Sequence, residues 1–486
     1  MFLVERKSLL FLALVAVSLS ACTTKVDARP PAAFTLQPTP VLTPSAFPTR
    51  PAYAPGELVD YIAHSGDTLP GLAARFNTTV EEIRAANPHI PADATTMPPG
   101  MPMRIPIYYR PFWGDPFQIL PDSLFVNGPA QVGFDIETFV QNRPGWLKEY
   151  RAYAQGASRS GAEIVQLIAT NYSISPRLLL AILEYRSGAL SNISPPDSRY
   201  PLGIYDPNYA DLYMQLVWIA NRLNHGFYGW RTGDLIEFEL ANGKLERPDP
   251  WQTAATVAIQ FLFSQLEDHA GYQAAIGPNG ISRVYQTLFG DPWTQDIPHI
   301  PVSLQQPPLT LPFRVGESWT LTGGPHTGWG HMWPWAALDF APPGVESGCV
   351  PTDRPAVAMA DGLVVRSETG VVVLDLDGDG DERTGWNLIY LHLATQGRAP
   401  LGAQLKTGDP VGYPSCEGGT ATGSHVHVAR KYNGEWIPAD GVIPFNLEGW
   451  IAYNGKNAYE GGLIRNGQRV IASERSILAS QITAGK

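Results

Sequence analysis

Hydrophobic and polar positions change their period several times along the chain, and these changes divide it. Residues 9–19 form an apolar run behind Glu5-Arg6-Lys7. The run is too short for a standard membrane span and reads as the core of an export signal. From Arg29 to about Pro55 the composition shifts to Pro, Thr, Ala and Ser, which bury no core and form an extended, semi-rigid tether. Residues 57–107 read as strand, turn, helix, helix, strand. Leu69, Leu72, Ala73 and Phe76 make the apolar face of the first helix, and Thr79 caps the second. Residues 108–135, rich in Pro, Phe and Gly, are a packed connector. Helical spacing then governs 136–300, with helices at 161–171, 175–187, 209–224, 251–266 and 280–289. The second of these opens with Ser175 as N-cap and Pro176 at the first turn. Beyond a linker at Pro307-Pro308, short strands alternate with Gly and Asp turns at 356–360, 362–367, 370–376, 388–393 and 425–430. This all-β stretch runs over 313–455. The tail, 456–486, holds one hairpin signal, Arg465-Asn466-Gly467-Gln468, and then Ser and Ala without pattern. The pattern predicts a multidomain α+β protein: a small βααβ module, a mostly helical middle domain and an antiparallel all-β domain.

Composition narrows the partners. The 486 residues carry a net charge of −11 with no long basic run, which argues against nucleic acid. There are three cysteines. Leu19-Ser20-Ala21-Cys22 resembles a bacterial lipobox. That resemblance implies removal of 1–21, lipid on Cys22, and 22–56 as the tether from the membrane to the folded part. Cys349 and Cys416 remain, and in an oxidising compartment they are expected to form one disulfide.

The chemistry concentrates near the C-terminal end. In Gly423-Ser424-His425-Val426-His427-Val428 the two histidines sit two apart on a strand and share a face. Upstream, Gly323-Gly324-Pro325-His326 supplies a histidine in a tight turn. Ala336-Ala337-Leu338-Asp339-Phe340 supplies a carboxylate in an apolar strand, and Tyr390-Leu391-His392 another strand histidine. A buried, unpaired carboxylate at Asp339 is costly, and a cation offsets that cost. These segments resemble the M23 zinc peptidases of bacterial cell walls, the lysostaphin-type fold. The common form of that family has its first His four residues before the Asp, where this chain has Trp335. His326 lies thirteen residues before Asp339, a spacing similar to the β-lytic and staphylolytic (LasA-type) branch. The resemblance implies His326, Asp339 and His427 as zinc ligands, with His331 as the alternative first ligand. It implies His392 and His425 as the catalytic pair, either of which serves as general base. Two neutral imidazoles and a carboxylate leave zinc a fourth position for water, whose pKa the metal lowers.

Three further motifs stand out. Residues 57–107 resemble a LysM module, which implies binding of N-acetylglucosamine chains between the first turn and the loop after the second helix. That maps to Gly66, Asp67, Thr68, Asn87 and Pro88; the other reading makes Asp67 and Asn87 turn and cap residues only. Residues 174–187 have a faint likeness to the catalytic helix of lysozyme-like transglycosylases, with Glu184 as the general acid. The plainer alternative is a helix-end Glu paired with Arg177 or Arg186. Finally, Asp375, Asp377, Asp379 and Asp381 alternate around Gly378 and Gly380 like the first half of an EF-hand calcium loop, but Trp386 replaces the closing Glu. Either a calcium-binding hairpin or an acidic exposed turn fits. Taken together, the resemblances imply an exported, lipid-anchored zinc endopeptidase facing the cell wall, held on glycan by its LysM module and cutting peptidoglycan peptides. A non-catalytic wall-binding scaffold or amidase activator, and a glycan-cleaving enzyme using Glu184, are the alternatives.

Overall fold

A computed structural model describes residues 53–111, 113–344 and 348–485. The export signal, Cys22 and most of the tether lie outside these residues.

The βααβ module forms as its spacing requires. Strands Glu57–Ile62 and Pro102–Ile107 pair antiparallel around helices Leu69–Phe76 and Val80–Ala86. The Thr68 side chain accepts from the Gly71 amide, and Thr79 and Glu82 form a reciprocal capping box. Leu72, Phe76, Ile83 and Ile105 are its core.

The middle region is helical: Gly161–Tyr172, Pro176–Ser187, Asp211–Thr232, Ala254–Leu266, His269–Ile276 and Ile281–Phe289. The long helix runs eight residues beyond the expected end at 224, through Gly226 and Gly229. Glycine is unfavourable inside a helix, but here it permits close packing. A Cβ on Gly226 would lie 2.7 Å from the Ala258 Cα of the neighbouring helix.

The C-terminal region is built on a nine-stranded sheet whose strand pairs are all antiparallel. Its order is Gln404–Leu405, Gly362–Glu368, Gly370–Asp375, Trp386–Leu393, Val426–Tyr432, Trp335–Ala341, Ser318–Thr327 and Gln481–Thr483, with Glu435–Trp436 branching from the Val426 strand. Alternation gives the sheet two apolar faces. Leu338, Phe340, Val426, Val428 and Tyr390 point to one face, which is closed by a four-stranded sheet bearing Leu447, Trp450, Ala452 and Leu463. Ala337, Ala429, Ile389, Leu391 and Val373 point to the other and join the core of the helical region. Trp436 is buried against that region, its backbone amide donating to the Tyr228 hydroxyl at 2.9 Å.

Three local expectations change. The Gly-Gly-Pro-His segment is no tight turn but the bulged end of strand Ser318–Thr327, with register shifts around Gly323 and His326. In the tail the expected Asn-Gly hairpin forms between Gly461–Arg465 and Gln468–Ile471, but the stretch after it is not patternless, because Gln481–Thr483 completes the large sheet. Residues 299–304, which straddle the end at 300 expected for the helical domain, lie against the βααβ module. The His299 and Ile300 amides donate to the Ser65 hydroxyl, and the Thr95 and Thr96 hydroxyls donate to the Leu304 and Pro301 carbonyls.

Candidate metal site

Register brings the site together. Asp339 is the direct cross-strand partner of His427 on one side and of Gly323 on the other. Directly opposed residues share a face, so the His427 ring and the Asp339 carboxylate meet. The bulge after Gly323 returns His326 to the same place. His326 Nε2 and His427 Nδ1 each lie 3.3 Å from Asp339 Oδ1, and 3.0 Å from one another. His425 Nε2 is 3.6 Å from the same oxygen. His326, Asp339 and His427 are all buried, and their ligand atoms lie within 4.8 Å of one another. Glycine at 323 is a steric necessity, because a Cβ there would stand 2.6 Å from Asp339 Oδ2.

A second bulge places His392. In the ladder to Gly370–Asp375, Gly370 pairs Leu393 and Val371 pairs Leu391, so His392 is the extra residue, with φ of 61°. Strict alternation would send it into the sheet-sheet core. The bulge turns it to the site, its ring centroid 4.6 Å from that of His425.

Backbone carbonyls fix which nitrogen carries the hydrogen in all four rings. Nδ1 of His326 donates to Gly324 O at 2.8 Å, and Nε2 of His427 to Gly328 O at 3.2 Å. Nδ1 of His392 donates to Glu417 O at 3.0 Å, and Nδ1 of His425 to Gly423 O at 2.8 Å. A neutral ring carries one N–H, so the inward nitrogens hold lone pairs. At the centre, two lone-pair nitrogens and the Asp339 oxygen face one another with no hydrogen between them. Asp339 Oδ1 has no hydrogen-bond donor. Burial, then the His425 and His427 rings, pushes His392 down to about 4, and burial lowers His427 as well. Three acceptors converging in a buried space match the donor set of zinc, two nitrogens and one oxygen.

Other residues around the cluster had no sequence signal. Tyr459, in the tail, stacks on His326 with centroids 4.1 Å apart and planes 19° apart. Gly328, whose carbonyl orients His427, begins a loop seated on the helical region: the His331 amide donates to Asn221 Oδ1 at 2.6 Å, and Gly330 abuts Tyr172. His331 itself is exposed and stands outside the cluster. The disulfide Cys349–Cys416 forms, closing a separation of 67 residues, and Glu417 beside it supplies the carbonyl that holds His392.

The remaining candidates are placed differently. Asp67 is 1% exposed and accepts from the Tyr61 hydroxyl, the His64 amide and the Arg75 guanidinium, at 2.6, 2.7 and 2.9 Å. Gly66 is buried under Arg231, whose guanidinium a Cβ would meet at 2.8 Å. Thr68 caps its helix, while the Asn87 amide bonds the Ile83 and Arg104 carbonyls; only Pro88 of the five is exposed. Glu184 pairs with neither suggested arginine. Its carboxylate accepts from the Leu190 amide at 2.7 Å, Arg186 pairs with Glu267, and Arg177 bonds Ala130 O and Gln131. Asp375, Asp377 and Asp379 bring three carboxylate oxygens within 4.8 Å of one another. Asp381 does not join them, because Arg383 holds both its oxygens.

Family models match the βααβ module and the helical region. Residues 61–106 match the LysM domain family and residues 118–303 the family described as LasA, N-terminal domain. Protease LasA of Pseudomonas aeruginosa, in strains UCBPP-PA14 and PAO1, is 27% identical over 350 residues, covering 66% of this chain and 76% of the relative. Among solved structures, the M23 metalloprotease pseudoalterin is 22% identical with a TM-score of 0.30, over 34% of this chain and 96% of that one. The catalytic domain of lysostaphin from Staphylococcus simulans is 18% identical with a TM-score of 0.18, over 26% and 89%. The chain therefore matches the LysM and LasA N-terminal domain families over these two stretches, and it is homologous to protease LasA over 350 residues.

Proposed function

We propose that the protein is an exported zinc endopeptidase that cuts peptide bonds in peptidoglycan, with His326, Asp339 and His427 as metal ligands and His392 and His425 as the catalytic pair. One observation carries the reading: Asp339 Oδ1 is buried without a donor, 3.3 Å from each of two inward imidazole nitrogens. Three such acceptors repel one another unless a cation lies among them. Zinc bound there would supply a water of lowered pKa and polarise the scissile carbonyl.

The chain's own residues do the rest. Gly324 O and Gly328 O hold the ligand rings in the tautomers that turn lone pairs inward. His392, kept neutral by burial and its neighbours, is able to accept a proton at Nε2, because its Nδ1–H is committed to Glu417 O. His425, committed in the same way through Gly423 O, presents Nε2 from the opposite ring, and either of the two takes or returns the proton. The β-lytic resemblance favours bonds beside small residues such as glycine. Lipid on Cys22 would tether the enzyme to the membrane, and the LysM module would bring glycan near the site.

The test is zinc content together with release of soluble peptides from purified cell wall. Wild type is expected to hold one zinc and to generate new amino termini. His427→Ala is expected to lose both, and full activity in that variant would reject the reading. Anhydro-sugar ends in place of new amino termini would point to glycan cleavage.

A further inference from the structure

The acidic hairpin lies apart from the histidine cluster and belongs to no step above. We propose that residues 375–387 bind a calcium ion, and that this ion stiffens the joint between the helical region and the catalytic sheet.

Asp375 ends strand Gly370–Asp375 with no exposed surface, and Asp377 and Asp379 follow it in the loop. Their three carboxylate oxygens converge, and among the described residues none of the three is ion-paired. The nearby cations are spent elsewhere: Arg383 on Asp381, and Arg366 and Lys431 on Glu382.

A separate observation comes from the return strand. Asn387 is the direct cross-strand partner of Asp375 and is fully buried. Directly opposed side chains share a face, so its amide sits beside the Asp375 carboxylate. Its Nδ2 donates to Thr384 O at 2.7 Å, at the loop's closing end, and its Oδ1 has no donor among the described residues. A buried amide oxygen without a partner, next to carboxylates without counter-charge, is an incomplete set of hard oxygen ligands. Such a set selects calcium or magnesium over zinc, and an irregular loop with mixed carboxylate and amide oxygens suits calcium.

The loop's other contacts state the consequence. Glu382 joins Arg366 at 3.1 Å and Lys431 at 3.1 Å. Arg366 in turn donates to Asn171 Oδ1 of the helical region at 2.7 Å, and Lys431 lies on the strand that carries His427. Arg383 Nη1 donates to Gln131 O at 3.1 Å. An ion that fixes the loop fixes these ties.

The probe is terbium luminescence excited through Trp386, at the end of the loop, in the zinc-loaded full chain. Wild type is expected to show sensitised emission that calcium quenches by displacement, and a thermal midpoint that rises by several degrees in millimolar calcium. Asp377→Asn and Asp379→Asn, both at exposed positions, are each expected to weaken terbium binding about tenfold or more. Both should abolish the calcium-dependent midpoint shift while keeping zinc content and wall hydrolysis. Equal emission and equal midpoints in wild type and both variants would overturn the proposal. A midpoint shift obtained with magnesium but not calcium would overturn the choice of ion.

Discussion

Asp67, in the turn between strand Glu57–Ile62 and helix Leu69–Phe76, and Asp339, in the nine-stranded sheet, are both buried aspartates, and sequence reading offered each as a binding residue. Their surroundings set them apart. Asp67 has its charge and its oxygens answered from within the chain, by Arg75, Tyr61 and the His64 amide. Asp339 has one oxygen left over, faced by imidazole nitrogens that have nothing to donate. A buried polar group whose capacity is used up holds the fold; one with capacity left over, among others like it, awaits a ligand. A single orphan is not enough. His225 Nδ1 is also buried and unpartnered, yet its ring stacks on Phe261, and among the described residues it belongs to no group of three or more ligand-type side chains.

The sharpest way to break the comparison is to neutralise the two aspartates in parallel. Asp339→Ala is expected to abolish both zinc binding and wall hydrolysis. Asp67→Ala is expected to keep zinc and turnover but to lose about 3–5 kcal/mol of stability, because it strands the buried Arg75. Denaturant unfolding with metal analysis on both variants decides; zinc loss from Asp67→Ala would end the distinction. Next in size is His392→Ala, which should lower kcat by about 10²–10⁴-fold with zinc content unchanged. Removing the disulfide as Cys349→Ala/Cys416→Ala should cost roughly 4 kcal/mol for a loop of this size. It should also reduce kcat modestly, because the Glu417 carbonyl that holds His392 loses its anchor.

The smallest effect is one of pH. Burial, then the nearby Arg222, pushes His225 down to about 4 in the folded chain, against about 6.5 unfolded. The unfolded chain then binds more protons between those values. This contribution to stability is complete above pH 6.5 and is lost as pH falls towards 4. His225→Phe should flatten that part of the dependence of the thermal midpoint on pH, and an unchanged slope would remove His225 as its source.

The parts legible in the sequence were those carried by short-range signals. Helix caps at Thr79 and Ser175, the Asn466-Gly467 hairpin and the histidines of the Val426 strand all declare themselves within a few residues. Which of the polar candidates meet came from the resemblance to the M23 peptidases rather than from the strand pattern, which left His326 and His331 both open. What stayed hidden depends on register and on distant segments. The bulge that turns His392 needs Gly370 to pair with Leu393, and Tyr459 reaches His326 from a tail that carries no period. The fate of the glycan-binding candidates was hidden for the same reason. Nothing near Gly66 announces that Arg231, 165 positions later, will lie on it.

Strand Gln481–Thr483 has a consequence for handling the protein. It caps Ser318–Thr320, the outer end of the strand that carries His326. A chain shortened after residue 480 would leave the amides and carbonyls of that strand as an open edge, a template for pairing with another copy. Aggregation would then set in beside His326, a proposed ligand of the metal. A purification tag is accordingly better placed ahead of the folded region than behind it.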